Sequence, residues 1–561
     1  MGIADGAFGL WLTGGFRAVG VGLRRAARGF RLQVPERLLI APQELVAGDP
    51  VTAHDMADGQ FLLVGRTVQA QGRSIFTVAP PSMTWARALH SFAWLSHFRE
   101  AEDPVVRGHA RSLVAAWLDN RDASTNRSAW LPEVAARRLL SWLSQSPLLL
   151  TDADHAFYRR FMRELARTAF NCEIAAGQSR LGLAQLNAAI AYAAYTLCAD
   201  TREQEWRRST KLLVNALVGT VLADGAPVTR NPQDAVALAS DLLPLRTAYT
   251  ARGRTPPPQL QSAIERLLGF LRLMRHPSGE LALFNGMGAT EFDTVSALLQ
   301  FEDARAAILS VSAPFGGYHR LERGAMTVLV DVGAAPARAN ALEAHAGLAS
   351  FEVSVARERL FVNCGAPRAG LVDLRQAVRE TAAHNALMLA GESSARFRPV
   401  RRMDGGIERA LTEPRDRPGL ERKAEGLDDV IVIANEGRLS EKGIRHERSL
   451  TVAGDGLSLL GEDLVEIDPK RSRAGLGMLE LRFHLHPDIL PRAGVDGSLV
   501  QFRLGDGSHW EFEAGGLAIQ IEDSIFFGGL ASQRRTRQLV ITLPCSDVTV
   551  IWRLSRLSGP A

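Results

Sequence analysis

Between residue 84 and about residue 305, apolar positions recur every three or four residues, the spacing that lines one face of an α-helix. WARALHSFAWLSHFRE, ARSLVAAWLD, PEVAARRLLSWLSQ, HAFYRRFMRELARTAF, LGLAQLNAAIAYAAYTLC and WRRSTKLLVNALVGTVL follow one another, each bounded by Asp, Asn, Pro or Gly. Helices of ordinary length joined by short loops predict antiparallel neighbours in a bundle, toroid or solenoid, and no fixed period marks a TPR or HEAT array. Past residue 320 the period falls to two. AMTVLVDVG, ASFEVSVARERLFVNCG, HNALMLAG, DDVIVIANEG, LSLLGEDLVEI, LELRFHLHP, SLVQFRL, LAIQIEDSIFF and TRQLVITLP are separated by Gly, Asp and Pro turns, which predicts a large antiparallel sandwich. The expected organisation is an N-terminal extension over 1–83, a helical domain over 84–310 and a β domain over 311–561. Residues 1–30 read as a short amphipathic helix that docks on the body, and PPP at 256–258 and RDRPG at 415–419 read as loops.

Composition narrows the class. A chain of 561 residues exceeds the size of a single hydrophobic core, and 46% hydrophobic with 22% charged residues excludes a disordered or fibrous chain. Charge interrupts every apolar stretch before the roughly 20 residues of a membrane span. A net charge of +4 without a basic run gives no footprint for nucleic acid. Of the 65 basic side chains only Lys211, Lys423, Lys442 and Lys470 are lysine, leaving 61 arginines. Codon bias accounts for such a skew, and so does an acidic ligand suited to guanidinium forks. Cys172, Cys198, Cys364 and Cys545 are scattered, which indicates neither a zinc ribbon nor a disulfide framework. No cofactor is expected and no metal ligand is assigned, a structural divalent ion being the open alternative. The first apolar stretch lacks a basic n-region, so the expected address is cytoplasmic, with the periplasm or cell envelope as the alternative. The sequence sets no oligomeric state.

Candidate chemistry gathers in four places. His345 closes Leu342–Ala344 and precedes the alternating run that begins near Ser350, at a strand end. His384 and Asn385 open another run after Arg379–Ala383. In Arg482-Phe483-His484-Leu485-His486 the alternation puts Arg482, His484 and His486 on one face, where they could grip an anion or a metal. The loop Asp224–Asp234 carries Arg230, Asn231 and Asp234 ahead of a helix, and Gly279–Gly288 is a turn-rich bridge.

In this order Pro132–Trp142, Asp224–Pro232, Phe284–Gly288, Gly317–Gly324, His345–Glu352, Val362–Pro367, Arg379–Asn385, His446–Leu450 and Arg482–Pro487 resemble the heparinase II/III-like family, in its bacterial branch. The resemblance implies an (α/α) toroid followed by an antiparallel β-sandwich with a cleft between them. It also implies a polysaccharide lyase that cuts a uronic-acid polymer, a glycosaminoglycan such as heparan sulfate or an alginate, by β-elimination. In that reaction a cationic or polar group neutralises the uronate carboxylate, a base takes the C5 proton and an acid protonates the departing O4. On the resemblance His384 is the catalytic base or acid, supported by His345, and Arg230, Asn231, Asn385, Arg482, His484 and His486 hold the substrate. The chain departs from the family's pattern at three points. Gly347 stands where the family's HAD motif has its aspartate, Gly177–Arg180 replaces an Asn-His pair, and Asp234 occupies the place of the catalytic tyrosine. Those departures keep open a non-catalytic glycan-binding or assembly protein on a lyase fold, and hydrolysis through Asp234 and Asp224.

Overall fold

A computed structural model describes residues 33–557, apart from 46, 102, 123, 302–309, 368–371, 413–418, 436–437, 471–474 and 530–532. The amphipathic helix expected over 1–30 and all but one residue of RDRPG lie outside the described residues. The long helices are Pro104–Asn120, Pro132–Ser144, His155–Ala176, Leu183–Cys198, Glu203–Thr220, Pro232–Ala251 and Pro258–Leu273. Their starts are written in the chain. Asp103, Asp154 and Asn231 accept from N–H groups of the first turn, and Pro104, Pro132, Pro232 and Pro258 take first-turn positions that have no N–H to satisfy. Leu183–Cys198 is buried on nearly all sides from Ala188 onward, and its alanines let four neighbouring helices approach closely.

Two local results differ from the periodicity. The run WARALHSFAWLSHFRE forms two helices, Met83–Ser91 and Leu95–Glu100, because Phe92 turns into the left-handed region at φ 57°. Its ring is the reason for the break. It sits 5.0 Å from Trp94, 5.3 Å from Trp142, 5.7 Å from Trp117 and 5.8 Å from Phe76, between ring centroids. The second difference lies in the stretch expected as an extension. Ala53, Met56, Phe61, Ile75 and Phe76 are buried in the same core as the helices, so residues 50–83 are integral to the helical body.

Apart from a hairpin of Gln60–Leu63 and Arg66–Gln69, the described strands begin at Ser312. A five-stranded antiparallel sheet runs in the order Ser312–Ala313, Tyr318–Arg323, Met326–Asp331, Phe351–Val355, Glu358–Phe361. An eight-stranded sheet runs Gly419–Glu425, Asp428–Asn435, Ile444–Val452, Ser458–Ile467, Val548–Arg556, His509–Glu513, Leu499–Arg503, Arg492–Ala493. A four-stranded sheet, Gln520–Phe526, Arg534–Pro544, Met478–His484 and Leu387–Leu389, completes the sandwich. Phe351, Phe361, Phe483, Phe512 and Trp552 fill its interior. Gly461 pairs directly with Trp552 across the ladder, and a methyl group there would overlap the indole. Gly461→Ala is therefore expected to destabilise the protein by about 1–3 kcal/mol, read as a lower midpoint in denaturant unfolding. An unchanged midpoint would show that the indole has room to move.

Candidate functional site

Three loops meet where the helical region touches the sheets. At the first, Arg230 adopts a left-handed backbone, φ 62°, just before the helix that Asn231 caps. At the second, Asn285 (φ 48°) and Gly286 (φ 97°) make a tight turn, with Asn231 and Glu343 both against Gly286. The third is Ala341–Gly347. Left-handed non-glycine residues at two of the three loops mark a joint whose surroundings over-determine its backbone.

The joint is polar and almost fully buried. The Arg230 guanidinium donates to the carbonyls of Gly316 (2.7 Å), Gly333 (3.1 Å) and Ala334 (3.2 Å), pairs with Asp331 and lies 5.1 Å from the centre of the Tyr318 ring. Asn285 donates to Tyr318 (2.7 Å) and to Asp331 (2.8 Å), and its carbonyl accepts the His345 N–H at 3.1 Å. Every partner of the Asp331 carboxylate is a donor, the arrangement an ionised group requires. Arg230 was expected to hold a substrate carboxylate. Instead it is a buried strut that fastens the helical loop to the sheet.

His345 and His384 lie side by side. His345 Nδ1 and His384 Nε2 are 3.0 Å apart, and His384 Nδ1 lies 2.8 Å from the Glu380 carbonyl. A carbonyl only accepts, so His384 carries its proton on Nδ1 and presents the Nε2 lone pair. His345 then donates from Nδ1 and keeps the lone pair of Nε2, which meets no protein partner among the described residues. The relay reverses the expected ranking: His345 holds the available base, and His384 fixes its tautomer. Burial pushes the His384 imidazole down to about 4. Burial, with the positive charges of Arg379 and Arg375, holds His345 well below the usual histidine value.

The loops carrying the pair are braced from both sides. Arg379 donates to the Ala344 carbonyl (3.0 Å), and Thr381 donates to that of Ala346 (2.7 Å). From within the sandwich, Arg448 donates to the Ala349 and Asn385 carbonyls, both at 2.9 Å, while Asp463 accepts from Arg448 (2.8 Å), His446 (2.7 Å) and Trp552 (2.9 Å). Gly347 has no space for a side chain. A Cβ there would lie 2.7 Å from the His384 ring and 3.1 Å from Ser350 Oγ.

Other candidates fall elsewhere. Asn385 is wholly internal, donating to the Phe351 carbonyl and accepting the His484 N–H, so it is a structural group and not a substrate contact. Arg482 binds Glu480 and Glu522. His484 lies between Ser524 (2.8 Å) and the Ala382 carbonyl (3.0 Å), with burial lowering it to about 3. His486 packs edge-on to Phe526 beside Asp488. The strip expected to grip an anion is thus paired with its own sheet. Asp224 accepts from the Ala226, Phe315 and Gly316 N–H groups, which removes it as a hydrolytic partner. Asp234 accepts from Thr229 at 2.6 Å, and burial together with the Glu343 charge raises it to about 6. Asn231 is occupied as the helix cap. Among the described residues no His, Cys, Asp and Glu cluster is arranged for a metal ion.

Sequence reasoning missed the cavity beside this joint. About 510 Å³ in volume, it is enclosed by Arg87, Glu343, Arg375, Arg379, Glu408 and Arg409, with Glu343 two residues before His345. A hairpin, Arg396–Arg401 and Ile407–Thr412, covers one side, held to the helical region by Arg87 with Asp404 and Glu408 and by Arg402 with Glu133. The only available signal was the density of arginine in these segments.

Residues 308–553 match the family described as Heparinase II/III-like, C-terminal. That part of the chain is a heparinase II/III-like C-terminal domain. FtsZ-localized protein C of Caulobacter vibrioides (strain NA1000 / CB15N) is 29% identical over 543 residues, 94% of this chain and 91% of that one. Heparinase III superposes with a TM-score of 0.71 at 13% identity, covering 94% of this chain and 88% of its own. A heparan sulfate lyase from Pedobacter heparinus gives 0.61 at 14%, covering 91% and 83%. These solved structures share the helical toroid and β-sandwich fold.

Two outcomes follow from the joint. Arg230→Leu leaves Asp331 buried without its cation and is expected to cost about 3–5 kcal/mol, measured by denaturant unfolding; a loss within error would show that the strut is dispensable. The second concerns acid. The folded chain holds His384 and His484 neutral, at about 4 and about 3, whereas the unfolded chain protonates histidine near ~6.5. Stability present above that value is therefore lost as pH falls from about 6.5 towards 4, and a flat unfolding midpoint over this interval would contradict the burial of the pair.

Proposed function

We propose that this protein is a glycan-binding assembly protein of the bacterial division site, holding an anionic polysaccharide in the arginine-lined cavity without cleaving it. The observation that carries this reading is the distribution of guanidinium groups. Arg230 and Arg482, the expected carboxylate clamps, are engaged inside the protein, and four guanidiniums against two carboxylates border the cavity: Arg87 and Arg375 pair with Glu408 and Glu343, Arg379 donates to backbone carbonyls, and Arg409 is exposed. A positive surplus around a concave site attracts polyanions. The likeness to a protein named for its localisation with FtsZ supports the division-site half of the proposal, since it extends over nearly the whole of both chains.

A second reading has its own observation. The unoccupied Nε2 lone pair of His345, oriented through His384, has the form of a general base, and Asp234, raised to about 6, sits near the neutral range in which a proton donor works. In that reading the chain is a lyase acting by β-elimination on a uronic-acid polymer.

One set of measurements separates the two. Purified protein is incubated with alginate and with heparan sulfate, following retention on the immobilised polymer and the ultraviolet absorbance of unsaturated uronate, and it is co-sedimented with FtsZ filaments. Retention that falls about tenfold in Arg375→Ala or Arg409→Ala, co-sedimentation with FtsZ and no rise in absorbance are expected. A rise in absorbance that His345→Ala abolishes establishes the lyase instead. Absence of both retention and co-sedimentation overturns the assembly reading.

A further inference from the structure

At the end of the toroid away from the sheets lies a second polar chamber. The helices Pro132–Ser144 and Pro232–Ala251 point their first turns at the β region, through Glu133 with Arg402 of the hairpin and through the Asn231 loop. Their far ends, with Ala194 and the segment Pro42–Leu45, enclose about 240 Å³. The segment is anchored further on. Gly48 touches the Ser96 backbone too closely for any side chain, and the Asp49 N–H donates to His97 Nδ1 at 2.9 Å.

The walls offer acceptors in excess. Pro244 lacks an N–H, so the Ser240 carbonyl one turn earlier has lost its helical partner. Ser141 Oγ meets no partner among the described residues although the residue is only 1% exposed. Glu44 receives a single hydrogen bond, from Gln145 at 3.0 Å. The one cation of the wall, Arg137, is already joined to Asp241 by two bonds, at 2.9 and 2.5 Å. Arg99, which also faces Glu44, is matched by its neighbour Glu100 at 2.8 Å. Glu44 and Asp241 against Arg137 leave a negative surplus with unfilled acceptors. Burial raises the Glu44 carboxyl against the pull of Arg99, Arg137 and Gln145, and a bound cation would relieve that burial cost. A ligand that donates into the chamber would satisfy these acceptors.

We infer that this chamber binds a small ammonium-bearing ligand of about the size of one sugar ring, independently of the cavity beside His345. The ammonium lies against Glu44, and the ligand's hydroxyls donate to the Ser240 carbonyl and to Ser141. The test uses the full chain in isothermal calorimetry at a pH below about 7, where the amine is protonated. Three sugars of like size carry the three charges: glucosamine, glucose and glucuronate. Glucosamine is expected to bind, glucose at least tenfold more weakly and glucuronate without detectable heat. Glu44→Gln lowers glucosamine affinity at least tenfold, and Ser141→Ala, a milder change, lowers it a few-fold, with thermal unfolding confirming that each variant is folded. Equal binding of all three sugars, no binding of any, or undiminished affinity in a folded Glu44→Gln protein overturns the assignment.

Discussion

The buried pairing of Arg230 with Asp331 is the constraint on which the candidate site is arranged. A guanidinium with its counter-charge held away from water is tolerated only when every remaining donor finds an acceptor, and here three backbone carbonyls complete the set. Those carbonyls belong to the sheet region, and the arginine belongs to the helical loop. The two regions cannot separate or slide without stranding a charge. Asn285 carries the constraint onward, because the amide that donates to Asp331 also receives the His345 backbone N–H through its oxygen. The position of the histidine pair is thus set by the joint and not by the local strand alone.

Arg448 plays the corresponding part within the sandwich. Its carboxylate partner Asp463 is held by three donors and ionised far below the usual carboxylate range, despite burial, because Arg448 and His446 stabilise the charge. The guanidinium then reaches the two carbonyls at Ala349 and Asn385. One fully buried side chain therefore ties both histidine loops to the centre of the β-structure.

The sequence revealed the scaffold more readily than it revealed the site. A helix such as His155–Ala176 is legible because burial on one face imposes a 3.6-residue repeat and Asp154 announces its start. The strand Ser458–Ile467 is legible for the matching reason at period two. The break at Phe92 was not legible, because it depends on rings contributed by Phe76, Trp117 and Trp142. The meeting of His345 with His384 was read from motif order, while the direction of their proton relay depends on the Glu380 carbonyl, a backbone atom invisible to residue type. Arg230 misled for a related cause. An arginine in a loop before a helix has the same letter whether it faces a ligand or a buried aspartate 101 residues further along the chain, and only the fold brings Asp331 to it.

The bare backbone at Gly347 limits what this loop can carry. The His384 ring lies against the main chain there, so an aspartate introduced at this position would be driven into the space of the imidazole. His384 and the loop from Glu380 would have to shift first, and Arg448 and Thr381 hold that neighbourhood in place. A carboxylate can therefore enter here only together with other changes, and a single substitution would displace the histidine pair instead of adding to it.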